Sequence, residues 1–149
     1  MLRRVFLVVD DNELEGAGTA SQLARLDPAA TVLRAGSGES AVALLEERRV
    51  VPSLVFLDYQ LPGMNGIDTL IELRRMRWLE RVPIAMLTEP IADRLVVNSY
   101  RLGACAFLTK PLTNYELREV VRDFAHEARQ MAAATMVPVT SAGLGARAA

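Results

Sequence analysis

Residues 55–66 read VFLDYQLPGMNG, and this stretch decides the fold. An apolar run that begins at Leu54 ends in one carboxylate, Asp58. A Pro-Gly turn follows, and then Ile67, Leu70, Ile71 and Leu73 recur at helical spacing. A short apolar run bounded by turn residues is consistent with a strand buried on both faces, as in a parallel sheet covered by helices. A carboxylate that needs only water could lie anywhere on the surface. One placed where a buried strand stops is a helix cap, a metal ligand or a nucleophile.

The same alternation runs along the chain. Val5 to Val9 reads as a first strand, and a helix is predicted from Asn12 to about Leu26. Thr31 to Ala35 reads as a second strand, followed by a helix capped by Ser37. Pro83 to Thr88 and Cys105 to Thr109 read as the fourth and fifth strands. Between them a helix is predicted over Ile91 to Leu102, with Gly103 as its left-handed stop. A last helix, capped by Asn114, is expected to run to about Arg129. Five strands alternating with five helices predict a doubly wound parallel sheet with helices on both faces. The folded domain is expected within residues 1–126. Residues 127–149, which turn Ala-rich and end in VPVTSAGLGARAA, are expected to be the end of the last helix and a flexible tail or truncated linker.

Composition narrows the class. With 149 residues, 51% of them hydrophobic, the chain has material for one ordinary core. A net charge of −1 argues against a general nucleic-acid binder. The single cysteine, Cys105, permits no internal disulfide, and the apolar run of MLRRVFLVVDDNE is too short for a signal peptide or membrane span. The expectation is a soluble protein of the cytoplasm, with Cys105 a small buried hydrophobe at the start of the last strand.

In open parallel α/β sheets, ligands bind outside the carboxyl ends of the strands. Strand one ends in Asp10-Asp11, strand three in Asp58, strand four in Thr88, and strand five in Thr109-Lys110-Pro111. Taken singly, each has a plainer role: acids cap helices, aspartates make turns, threonines suit strands, and most lysines are solvated. Together they place three carboxylates, a hydroxyl and an ammonium on one rim. Gathered carboxylates repel unless a cation joins them, and a hard divalent ion such as Mg²⁺ takes oxygen ligands. A metal beside Asp58, with Lys110 and Thr88, describes a pocket that neutralises an incoming phosphoryl group. Attack by Asp58 on phosphorus would give an acyl phosphate.

These residues together resemble the receiver domain of bacterial two-component response regulators, of the chemotaxis single-domain type. The resemblance rests on VVDDNE, LDYQLPGMNG, MLTEP and FLTKP, in that order. It implies a (βα)5 flavodoxin-like three-layer sandwich with strand order 2-1-3-4-5. It implies that Asp58 accepts phosphate from a histidine of a sensor kinase or phosphotransfer protein. It further implies Asp11 as a direct Mg²⁺ ligand, Asp10 as one acting largely through water, and the backbone carbonyl of Gln60 as another, with Asp58 itself completing the metal set. Lys110 would pair with the phosphoryl group, Thr88 would move inward to bond it, and Phe107 would follow as the aromatic switch. The Lys110–Pro111 peptide would be cis. Output would be a downstream protein partner or a homodimer on the face built by the fourth helix, fifth strand and last helix. Ile91, Tyr100, Phe107, Leu108 and Tyr115 are the candidates there, with no direct nucleic-acid contact and no membrane insertion.

The sequence departs from the family pattern in three places. Glu89 stands where a small residue is usual after the switch threonine, Pro90 where a polar one is common, and Phe107 where several members have tyrosine. Glu89 would put bulk and charge near an anionic donor. A Glu89→Ala variant is therefore expected to accept phosphate from acetyl phosphate faster than the wild type, and equal rates would refute this. Two rivals compete with the switch. An Asp-nucleophile phosphohydrolase needs a second aspartate two residues after the first, and Gln60 stands there. A binding module that keeps the fold without phosphorylation would have no use for the acid pocket. The runs Glu46-Glu47-Arg48-Arg49 and Arg74-Arg75-Met76-Arg77 read as solvated helix faces, Trp78 as a shield for the third helix, and His126 as exposed. No output domain is recognisable after residue 126, which fits a stand-alone receiver or a piece of a longer protein.

Overall fold

The computed structural model describes residues 3–90 and 93–125. Five strands, β1 (Val5–Val9), β2 (Thr31–Ala35), β3 (Leu54–Asp58), β4 (Ile84–Thr88) and β5 (Ala106–Thr109), form one sheet. The helices are α1 (Glu13–Leu26), α2 (Gly38–Arg48), α3 (Gly66–Arg75), α4 (Asp93–Arg101) and α5 (Asn114–Val120). The sheet order is β2-β1-β3-β4-β5 and every pairing is parallel, so the doubly wound expectation holds.

Alternation along the strands divides the core into two layers. Leu7, Val9, Val55, Leu57, Ile84 and Met86 face α2 and α3 through Leu45, Leu70 and Leu73. Phe6, Val8, Leu54, Phe56, Ala85 and Leu87 face α1 and α5 through Leu23, Leu117 and Val120. Successive strand side chains point to opposite faces, so a run apolar at every position can serve only a sheet covered on both sides. All five residues of β3 and of β4 are buried, which places Asp58 and Thr88 at the ends of the two deepest strands.

Side chains cap the helices locally. Asn12 Oδ1 accepts from Glu15 N–H at 3.0 Å, and Ser37 forms a capping box with Ser40. The last helix begins one residue earlier than expected. Thr113, not Asn114, is its cap: Thr113 Oγ1 accepts from Glu116 N–H, and Glu116 Oε1 accepts from Thr113 N–H, both at 3.1 Å. The Thr-x-x-Glu signature of a capping box was present in the sequence. Asn114 Oδ1 instead accepts from Gln22 Nε2 at 2.9 Å, tying α5 to α1. The helix passes into a π-helical stretch at Val121–Ala125. Residues from 126 on, including His126, and residues 91–92, including Ile91, lie outside the described residues.

Gly66 permits the turn after Asp58. A Cβ there would lie 2.4 Å from the Asp58 carbonyl oxygen and 2.6 Å from Tyr59 Cα, so only glycine lets α3 start this close to the strand end. Gly103 has φ +111°, the left-handed stop expected of it. The sequence reading fails at Arg74, which is not a solvated residue. Its guanidinium donates to the carbonyls of Leu79 at 3.0 Å and Gly103 at 2.7 Å, bridging the 3-10 turn at Arg77–Leu79 and the loop before β5. Trp78 packs against the α2–α3 layer, with the Arg49 guanidinium 6.0 Å from its ring centre. Cys105 is partly buried beside the other layer, and burial pushes its thiol up to about 11.

Candidate functional site

Backbone bonds bring the strand ends to one rim. Asp10 N–H donates to Ala35 O at 3.0 Å, Tyr59 N–H to Leu87 O at 2.7 Å, and Lys110 N–H to Thr88 O at 2.8 Å. The chain turns immediately after each acid. Asn12 N–H donates to Asp10 Oδ1 and Gln60 N–H to Asp58 Oδ1, both at 2.9 Å. Each carboxylate closes its own turn with one oxygen and keeps the other for the crevice. The Lys110–Pro111 peptide is cis.

Lys110 Nζ stands among three carboxylates: 2.8 Å from Asp58 Oδ2, 2.7 Å from Glu15 Oε1 and 3.2 Å from Asp10 Oδ2. Carboxylate oxygens of Asp10, Glu15 and Asp58 lie within 4.8 Å of one another. Burial pushes the Asp58 carboxyl up, and the charge of Asp10 adds to this. The Lys110 ammonium and the Gln60 N–H oppose it, and the balance leaves Asp58 above the ordinary aspartate value. Burial pulls the Lys110 ammonium the other way, toward its neutral form. The carboxylates of Asp58, Glu15 and Asp10 outweigh that and hold it above the ordinary lysine range.

Thr88 completes the deep side of the rim. It is 2% exposed, and among the described residues its Oγ1 has no hydrogen-bond partner. A buried hydroxyl without a partner costs roughly 1–3 kcal/mol, so it is retained against stability. Replacing it with the isosteric valine is expected to raise the unfolding free energy by about 1 kcal/mol, read by urea titration. A loss of stability would show that the hydroxyl is satisfied in solution.

The predicted residues are not equally placed. Asp10, Asp58, Thr88 and Lys110 meet at the rim. Asp11 is exposed and stands outside the cluster of three carboxylates, and Gln60 is exposed in the turn beyond Asp58. Phe107 is partly buried on β5, in register with Met86. The residue the sequence reading missed is Glu15. Its signal was faint, an acid in the first turn of a helix, which ordinarily answers the helix dipole. Only the 2.7 Å contact with Lys110 reveals that the first turn of α1 lies over the rim. Glu15, Glu89 and Lys110 line one cavity of about 300 Å³ between α1 and the β5–α5 loop.

Oxygen donors on three side chains suit a hard divalent ion, and the orphaned Thr88 hydroxyl suits an additional oxygen-bearing group beside it. Residues 6–122 match the family of the response regulator receiver domain. The chain is 36% identical over 121 residues to the transcriptional regulatory protein CpxR of Klebsiella pneumoniae, covering 81% of this chain and 48% of CpxR. It spans about half the length of the first curated relatives it matches. The receiver domain of the sensor histidine kinase PA1611 from Pseudomonas aeruginosa, solved with a magnesium ion in its active-site cleft, superposes with a TM-score of 0.74. The two are 25% identical, over 84% of this chain and 99% of that one. The chemotaxis protein CheY4 of Vibrio cholerae shares the fold, with a TM-score of 0.71, 21% identity and coverage of 83% and 99%.

Proposed function

The chain belongs to the response regulator receiver family, and from that premise we propose that Asp58 is its phosphoacceptor. An Asp58 oxygen attacks the phosphorus of a phosphohistidine on a sensor kinase or histidine phosphotransfer protein. The N–P bond breaks, the imidazole leaves with a proton, and an acyl phosphate remains on Asp58. Mg²⁺, held by Asp10 and Asp58 and, on the family pattern, by Asp11 and the Gln60 carbonyl, would supply charge neutralisation for the phosphoryl oxygens. Asp58 Oδ1 is held by the Gln60 N–H, which orients the carboxylate. Lys110 is already 2.8 Å from its other oxygen and can follow a phosphoryl oxygen. The single observation that carries this reading is Thr88: a buried hydroxyl without a partner among the described residues, at the end of the strand next to Asp58, is a donor held ready for a group that arrives.

Movement of Thr88 would free the space into which Phe107 turns, and β5 transmits the change to the face of α4, β5 and α5. Val97, Tyr100 and Tyr115 on that face are about half exposed or more, at 51%, 47% and 66%. Such apolar exposure suits a protein partner or a second copy of the chain. The protein is thus a signalling acceptor that promotes only its own phosphorylation and dephosphorylation, and its setting is the cytoplasm. Among the described residues no helix is long and apolar enough to cross a membrane. The test is transfer of labelled phosphoryl groups from acetyl phosphate or a phosphorylated kinase. Uptake that requires Mg²⁺ and stops with a chelator supports the reading, and steady turnover of p-nitrophenyl phosphate without uptake would replace it with a phosphohydrolase.

A further inference from the structure

An ammonium has three N–H donors. At Lys110 three acceptors from three residues take them, and the shortest contact, 2.7 Å, is to Glu15. A phosphoryl oxygen can gain Lys110 only if one of these acceptors releases it. The Asp58 contact passes to the phosphoryl group itself, and Lys110 must move outward to follow those oxygens, which pulls it from its other two acceptors. Asp10 cannot be rehydrated cheaply, because its side chain is 1% exposed and its other oxygen closes the turn at Asn12. Glu15 differs in each respect: it lies on the first turn of α1, its side chain is 47% exposed, and water can replace Lys110 around it.

We propose that Glu15 is a positioning residue that holds Lys110 in the unphosphorylated arrangement and gives it up when a phosphoryl group forms on Asp58. This rests on the phosphoacceptor reading above. Glu15 then belongs to one state only. A contact made in one of two states biases their equilibrium by its differential strength, so Glu15 weakens the hold of the pocket on a phosphoryl group. A half-exposed ion pair of this kind is worth at most about a fivefold factor and is screened by salt.

The probe is beryllofluoride at saturating Mg²⁺, titrated by calorimetry into the full chain. Glu15→Ala is expected to bind it about three- to fivefold tighter than wild type at low salt. Glu15→Gln, which keeps an acceptor without the charge, should fall between them, and the differences should shrink toward one in 1 M NaCl. Glu89→Gln removes a carboxylate from the same cavity, and among the described residues the ion-pair partners of Lys110 are Asp10, Glu15 and Asp58, not Glu89. It should tighten binding less than half as much as Glu15→Ala. Equal tightening by Glu89→Gln would assign the effect to net charge and overturn the role of Glu15, and so would unchanged or weaker binding by the Glu15 variants. If wild type itself bound no beryllofluoride with Mg²⁺, the phosphoacceptor reading would fall and this proposal with it.

Discussion

The Asp58→Asn variant is expected to take up phosphoryl groups at least about a thousandfold more slowly than wild type, because its amide has lost the attacking oxygen. The same substitution is expected to raise thermal stability at pH 7 without Mg²⁺. Burial holds the Asp58 carboxyl above its ordinary value of 3.8, against the pull of Lys110 and the Gln60 N–H. The folded state therefore favours the protonated form. That advantage is present below the unfolded value and is lost as pH rises through the folded value, so at pH 7 the ionised side chain weighs against folding. Asparagine is neutral throughout and escapes it. The gain would appear as a higher melting temperature of the variant. The gap between variant and wild type should close as the pH falls toward the range where Asp58 protonates. A variant less stable than wild type at pH 7 would mean that the Lys110–Asp58 pair outweighs the desolvation of Asp58.

Lys110→Met is expected to act in the opposite direction. Methionine is unbranched, apolar and close to lysine in length, so the loss belongs mainly to the charge. The carboxylates of Asp10, Glu15 and Asp58 would remain within 4.8 Å of one another with no ammonium between them. Removing one partner of a fully buried pair costs about 3–5 kcal/mol. This cluster sits at a rim, with Lys110 13% and Glu15 47% exposed, so about 2 kcal/mol is the expected loss at neutral pH. Mg²⁺ should restore more stability to the variant than it adds to wild type, where the ammonium already neutralises the site. Acidification should restore it as well, since protonated carboxyls no longer repel. Denaturant titrations with and without millimolar Mg²⁺ measure both effects. Equal stabilisation of the two proteins by the ion would show that Lys110 does not share the role of a cation there.

Most of the fold was legible because period-two burial on both faces leaves a nearly unbroken apolar strand. VFLVV, LVFLD and IAMLT could serve only the interior of a covered parallel sheet. The rim was legible for a related reason: each acid or polar residue that ends such a run must leave the sheet at its carboxyl edge. What the sequence hid depends on contacts between distant segments. Glu15 faces Lys110 across 95 positions of chain, and nothing local marks an acid in a first helical turn as other than a dipole partner. Arg74 looked like one of a solvated basic run because its acceptors, the carbonyls of Leu79 and Gly103, leave no trace in composition. The misplaced cap was a local error. Thr113 and Asn114 both suit the position, and the reciprocal bond from Glu116 decides between them.

The central claim concerns the chemistry of one side chain, and reduction can read it directly. An acyl phosphate on aspartate is reduced by borohydride to homoserine, which leaves a permanent mark in the peptide. After phosphorylation with Mg²⁺, then borohydride and mass spectrometry of the digest, residue 58 is predicted to carry the change. Homoserine at Asp10 or Asp11, or phosphoryl uptake that leaves every aspartate intact, would contradict the account.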